Sequence, residues 1–224
     1  MNKEYKFIIF DWDGTLMDSV GKIVQSMQRA AADVNLPVPT RKDVEHIIGI
    51  SLAPAIGRLF NLHDDKAIDT IVARYKHHFL HADTIPCALF PGVDDLLQAL
   101  QNTDTTLAVA TGKARRGLTR AWQQTNTGHY FDFSRCADES ESKPSSDMLQ
   151  QLLDESGFDV SQSVMIGDTT YDMQMAQTIG MDRIGVNYGV HHPDELKAYS
   201  PLFQAKSVSA LQAFLMPRSH INKA

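Results

Sequence analysis

"KFIIFDWDGTL", residues 6–16, decides how this chain is read. Phe7, Ile8, Ile9 and Phe10 form a short apolar run, which ends on Asp11 and Asp13 and then on Gly14 and Thr15. An apolar run without polar alternation predicts a strand covered on both faces of a parallel sheet. Two acids at the end of such a strand repel each other and lose hydration unless positive charge meets them there. Residues i and i+2 of an extended segment point the same way, so Asp11 and Asp13 are spaced to face one small volume.

Three more runs share this character: "TTLAVAT" (105–111), "SVMIGD" (163–168) and "DRIGVN" (182–187). Helical patterns lie between them. "PGVDDLLQALQ" (91–101) sets Val93, Leu96, Leu97 and Leu100 on one face, and "PSSDMLQQLLDESG" (144–157) does the same with Met148, Leu149, Leu152 and Leu153 before the stop signal Gly157. "YDMQMAQTIG" (171–180) ends on Gly180. Strands alternating with helices predict an α/β fold with a doubly wound parallel sheet.

One stretch breaks the alternation. Residues 19–82 hold no strand pattern and read as helices over about 19–34, 41–48, 52–60 and 65–82, with Thr40 and Asp43 spaced as an N-cap pair. An all-helical insertion at the end of a strand, beside a group of acids, is placed to act as a lid or binding element. The division expected is a sheet core of residues 1–16 and 88–224 and an inserted helical cap of residues 17–87.

Composition bounds the function. The chain has 224 residues, a formal net charge of −6 and no basic stripe, which excludes a nucleic-acid footprint but not a small anionic substrate at a locally positive site. Cys87 and Cys136 give no disulfide framework and read as free thiols of a reducing compartment. The N-terminal apolar stretch is too short for a signal peptide, and no run approaches the roughly 20 apolar residues of a membrane helix. A cytoplasmic protein without a membrane partner, monomeric or homodimeric, is the expectation.

Ligands of open α/β sheets sit outside the carboxyl ends of the strands. Those ends carry Asp11, Asp13, Gly14 and Thr15; then Thr111, Gly112 and Lys113; then Gly167 and Asp168, with Asp172 one helical turn on; Lys143 precedes Pro144 before the helix at 144. Carboxylates converging from several strand ends call for a hard cation, and Mg²⁺ takes oxygen ligands of this kind together with substrate phosphate. Lys143 supplies a point charge, Thr111 a hydroxyl, and the backbone N–H groups of the turn that Gly14 permits supply further donors to a phosphoryl group. A carboxylate can attack phosphorus and form an aspartyl-phosphate, with a second acid moving the proton. Spacing alone leaves open which of Asp11 and Asp13 does which.

The ordered set Asp11-Trp12-Asp13-Gly14-Thr15, Thr111, Lys143-Pro144 and Gly167-Asp168-Thr169-Thr170-Tyr171-Asp172 resembles the four signature motifs of the haloacid dehalogenase superfamily, within it the phosphoglycolate-phosphatase-like branch with a helical cap. The resemblance covers nearly the whole chain. It implies a Rossmann-like core, Asp11 as the phosphorylated nucleophile, and Asp13 as acid/base with its backbone carbonyl on Mg²⁺. It also implies Thr111 on the phosphoryl oxygens, Lys143 steadying Asp11 and the phosphate charge, Asp168 on the metal, and Asp172 supporting the metal's waters or Lys143. Metal-binding residues would then be Asp11, Asp13, Asp168 and Asp172, with Gly14, Thr15, Gly112 and Lys113 around the phosphate. The dehalogenases of the superfamily lack an acid at the position of Asp13, so its presence favours phosphate over a carbon–halogen bond.

Ser145 and Ser146 stand where the family often has a second proline, and bulky Trp12 alternates away from the acids into the core. His77 and His81, one turn apart, read as a solvated helix face; His191 and His192 lie at the rim; Arg58 and Lys42 could meet an anionic substrate group; "GIS" (49–51) is a joint between cap helices. The function expected is Mg²⁺-dependent hydrolysis of a small phosphate monoester, of phosphoglycolate or sugar-phosphate type, through a phospho-aspartate. The alternatives are a phosphomutase of the β-phosphoglucomutase type and a non-catalytic phosphate-binding regulatory module.

Overall fold

The computed structural model describes residues 3–82 and 87–216. Among these residues eight strands run in chain order: β1 (Phe7–Phe10), β2 (Met17–Asp18), β3 (Ala88–Leu89), β4 (Thr106–Ala110), β5 (Phe133–Arg135), β6 (Ser163–Gly167), β7 (Asp182–Val186) and β8 (Phe203–Ala205). Six of them form one sheet in the order β5-β4-β1-β6-β7-β8, every pair parallel. The four runs read from sequence are its four central strands. The α-helices among the described residues are α1 (Val20–Asp33), α2 (Arg41–Glu45), α3 (Leu52–Phe60), α4 (Asp65–His77), α5 (Val93–Gln101), α6 (Arg115–Thr125), α7 (Asp147–Ser156), α8 (Thr170–Thr178), α9 (Pro193–Lys197) and α10 (Val208–Leu215). The architecture is Rossmann-like.

Alternation along β1 sends its side chains to two cores. Ile8 and Phe10 join Val164, Ile166 and the apolar faces of α5, α6 and α10, whereas Phe7 and Ile9 join Met165, Ala108, Ala110 and the faces of α7 and α8. Trp12, fully buried, continues the first core and packs edge-on to Trp122 and Phe131. A parallel sheet covered on both faces is what the unbroken apolar runs require.

Helices α1–α4 have a core of their own, built from Val24, Met27, Val44, Ile56 and Ile71, into which Tyr171 of α8 inserts. Thr40 and Asp43 form the expected capping box at α2. The pattern at 65–82 is not one helix: α4 ends at His77 and continues as a wider π-helical turn over His78–Ala82. At the root of this block β2 and β3 pair antiparallel, a two-residue ribbon too short to leave a sequence pattern.

β4 and β5 extend the sheet on one side of β1, and β6, β7 and β8 on the other. The connections reverse direction between β1 and β6, and the crevice outside their carboxyl ends is where such sheets bind ligands.

Candidate active site

Register places the polar groups. Phe10 lies level with Val109 of β4 and Ile166 of β6, so Asp11, Thr111 and Asp168 leave three neighbouring strands at the same edge. The Asp11 N–H still donates to the Ile166 carbonyl at 2.8 Å, which fixes its backbone to the sheet. A turn follows at once: the Trp12 carbonyl accepts from the N–H groups of Leu16 and Met17 at 3.0 and 2.9 Å. Gly14 allows it, with φ at +90°. A Cβ there would stand 2.2 Å from Asp168 Oδ2, so both the dihedral and the close approach demand glycine.

Asp172 arrives on the first turn of α8. Its Oδ2 accepts from the Thr169 N–H at 3.1 Å and the Thr169 hydroxyl at 2.7 Å, and Thr169 Oγ1 accepts from the Asp172 N–H. This capping box holds the carboxylate and leaves Oδ1 free to accept from Lys143 Nζ at 2.6 Å. The same ammonium donates to Asp11 Oδ1 at 2.7 Å, and the Lys143 side chain is wholly buried. Asp168 accepts from the Thr15 hydroxyl at 2.9 Å and the Val190 N–H at 2.8 Å.

These acids crowd one buried volume: ligand oxygens of Asp11, Asp168 and Asp172 all lie within 4.8 Å of one another. Burial pushes the Asp11 carboxyl well above the usual carboxylate range; Lys143 opposes this, and Asp172 and Asp168 add to it. Burial and then Asp172 push Asp168 up to about 7, against its two hydrogen bonds. Burial also works against the Lys143 ammonium, but Asp11 and Asp172 outweigh it and hold its pKa above the ordinary lysine value. Three buried acids against one lysine leave an excess of negative charge. Asp11 Oδ2 is buried with no hydrogen-bond partner. An unpartnered carboxylate oxygen in an all-oxygen donor set fits a hard divalent cation such as Mg²⁺.

Asp13 has different company. Half-buried, its carboxylate stands outside that group of three and accepts from Lys113 Nζ at 2.7 Å and the Ser19 hydroxyl at 2.6 Å. The neighbouring acids thus sit in separate environments, one held by Lys143 and one by Lys113. Thr111 is buried, and its hydroxyl accepts from the Lys113 N–H at 3.2 Å. Gly112 backs onto the helical block: a Cβ would lie 2.5 Å from the Gly49 carbonyl oxygen. Thr15, expected near phosphate, gives its hydroxyl to Asp168.

Several contributing residues carried little sequence signal. Ser19 reads as an ordinary helix cap, yet its hydroxyl goes to Asp13. His191 is buried; its Nδ1 accepts from the Thr170 N–H at 3.0 Å and its ring stacks on His46, bracing the start of α8. Burial lowers its pKa. Arg58 donates to the Tyr171 hydroxyl at 3.1 Å, which in turn donates to the His46 carbonyl at 2.8 Å. Ser142 Oγ, beside Lys143, accepts from the Ser51 N–H at 2.9 Å. His77 and His81 are exposed, Cys87 and Cys136 form no disulfide, and no described helix is long and apolar enough to cross a membrane. A groove of about 710 Å³ between α3 and α4 contains none of the four acids.

Fold and site together define a class: an α/β enzyme with a buried acid–lysine centre at the switch point of its sheet. The sequence profile of haloacid dehalogenase-like hydrolases matches residues 8–186, four-fifths of the chain. The chain belongs to that family and is a hydrolase. Among its relatives, the Dickeya dadantii protein named "Probable phosphatase IndB" is 34% identical over 87% of this chain and 86% of its own length. A phosphoglycolate phosphatase of Aliivibrio fischeri is 30% identical over 90% and 92%. A haloacid dehalogenase-like family hydrolase from Streptococcus pneumoniae superposes with a TM-score of 0.82 at 24% identity, covering 95% of this chain and 99% of that one.

Proposed function

We propose that this hydrolase cleaves small phosphate monoesters, with Asp11 as nucleophile and Asp13 as acid/base, and that residues 17–87 act as a cap over the site. One observation carries the assignment of roles. Lys143 fixes Asp11 Oδ1 from inside the protein, while Oδ2 remains buried and unpartnered. The residues that would hold Mg²⁺ are Asp11, Asp168 and Asp172, with the Asp13 backbone carbonyl beside them. When bound, Mg²⁺ supplies positive charge against the phosphoryl oxygens.

The chain's own groups account for the proton and bond changes. A carboxylate oxygen of Asp11 attacks phosphorus as the bond to the leaving alcohol breaks, and the Asp13 carboxyl gives that alcohol its proton. Asp13, now a carboxylate, takes a proton from water, whose oxygen attacks phosphorus and frees Asp11 and inorganic phosphate. Lys143 opposes protonation of Asp11 and offsets charge on the transferring group, while Thr111 offers it a hydroxyl. Lys113 and Ser19 orient Asp13 before the first step. Relatives with phosphatase names support the reaction class, and the phosphoglycolate phosphatase among them supports a small anionic ester.

The test is Asp11→Asn with an aryl phosphate. Phosphate release falls at least about a thousandfold while the circular dichroism spectrum is kept, since a carboxamide does not attack phosphorus. Retained turnover would falsify the nucleophile assignment.

A further inference from the structure

Two lysines share one aromatic ring beside Asp13. Phe79, in the π-helical turn after α4, has Lys113 Nζ 5.2 Å from its centroid and Lys22 Nζ, from the first turn of α1, at the same 5.2 Å. The two ammonium groups are therefore at most about 10 Å apart, on the rim of the acid site. Tyr75 stacks on Phe79 at 5.7 Å and keeps the ring in place. The lysines differ in their partners. Lys113 is ion-paired to Asp13 at 2.7 Å, whereas Lys22 pairs with no carboxylate among the described residues.

A half-buried lysine with no acid partner among the described residues, in a protein of net charge −6, has charge to offer a ligand. The charge balance of the site says what it suits. Asp11, Asp13, Asp168 and Asp172, all ionised, would be offset by Lys143, Lys113 and one divalent cation, which together would bring the centre to neutrality. A phosphate monoester entering as a dianion makes it negative, and a further anion on the same molecule meets repulsion unless a free cation receives it. Lys22 is that cation, on a flat apolar floor formed by Phe79.

We propose that Lys22 and Phe79 form a specificity subsite for a second anionic group, so that the preferred substrates are phosphate monoesters bearing a carboxylate or a second phosphate a few bonds from the reacting phosphorus. This rests on the phosphatase reading above and deepens it. Lys22 reads the tail by charge, Phe79 holds the ammonium toward the site, and Lys113 stays with Asp13.

The experiment compares phosphoglycolate with 2-hydroxyethyl phosphate, esters of similar size with and without a carboxylate. The ratio of their kcat/KM values falls about tenfold in Lys22→Ala, the loss of one charge-assisted contact, and further in Lys22→Glu. Lys22→Arg retains it, because the charge is kept. A ratio unchanged in Lys22→Ala and Lys22→Glu overturns the subsite. The same ratio is read without turnover by calorimetric titration of both esters into Asp11→Asn and the Asp11→Asn/Lys22→Ala pair. Wild-type protein that hydrolyses neither ester refutes the phosphatase reading, and the titrations then decide the subsite alone.

Discussion

Replacing Lys143 with Met removes the ammonium that Asp11 and Asp172 share in a buried pocket of acids, at nearly constant volume. Its Nζ lies 2.7 Å from Asp11 and 2.6 Å from Asp172, with neither lysine nor Asp172 side chain exposed. At an effective dielectric constant of about 20, each contact is worth about 6 kcal/mol before desolvation is subtracted. Removing one partner of a buried pair costs about 3–5 kcal/mol net, because the charges left behind stay unpaired. An upper bound follows from protonation. The pocket can relieve itself by holding a proton on Asp11, whose ordinary pKa is 3.8. Holding it at pH 8 costs about 6 kcal/mol and at pH 5.5 only about 2, at 1.36 kcal/mol per pH unit. The direction is unambiguous: a carboxyl whose pKa is raised in the folded state binds a proton that the unfolded chain has lost, so stability falls as pH rises. In EDTA, Lys143→Met is therefore expected to lower Tm by about 10–15 °C at pH 8 and by less than about half of that at pH 5.5, taking about 2–4 °C per kcal/mol at this size. Thermal denaturation followed by circular dichroism at the two pH values reads both numbers. An equal loss at pH 5.5 and pH 8 would refute the argument, because a purely steric effect of Met would not depend on protons.

Other outcomes follow from the same geometry. EDTA should stop turnover of an aryl phosphate and Mg²⁺ restore it, with the Mg²⁺ concentration for half-activation rising as pH drops below about 7, where Asp168 takes up a proton; activity indifferent to EDTA would refute the cation's role. Gly112→Ala should raise KM several-fold and destabilise the protein by about 1–3 kcal/mol, since its Cβ would lie 2.5 Å from the Gly49 carbonyl oxygen; kinetics and a urea midpoint matching wild type would show that the helical block can retreat without consequence.

The core of the sheet was legible because its four central strands, among them Phe7–Phe10 and Ser163–Gly167, are apolar on both faces. The edge strands β5 and β8 escaped notice: each has three residues, too few for a period, and an edge needs less apolar cover. Helix α6 was missed for a related reason. Its sequence, RRGLTRAWQQT, buries only Leu118 and Ala121, so its apolar stripe is thin. In the site, Asp11, Asp168, Asp172 and Lys143 were visible because acids at strand ends have no cheap structural explanation. The partition between the first two acids was not. That Lys113 and Ser19 take Asp13 while Lys143 takes Asp11 depends on a turn and on a strand 100 residues away, and spacing cannot report it.

Three of the contacts by which the sheet receives residues 46–51 share a property. Gly112 lies against the carbonyl of Gly49, Ser142 accepts from the N–H of Ser51, and Tyr171 donates to the carbonyl of His46. Each reaches a main-chain atom of the helical block. Those three contacts are blind to the amino-acid identities of the segment they grip, apart from the demand for glycine where the two backbones touch; the stack of His191 on His46 and the seat of Tyr171 among the block's apolar side chains are not. Residues of the block away from these contacts can therefore change while the block still docks at the same address. If the block acts as the cap proposed above, its seating on the sheet and its choice of ligand rest on different residues, and one can change without the other.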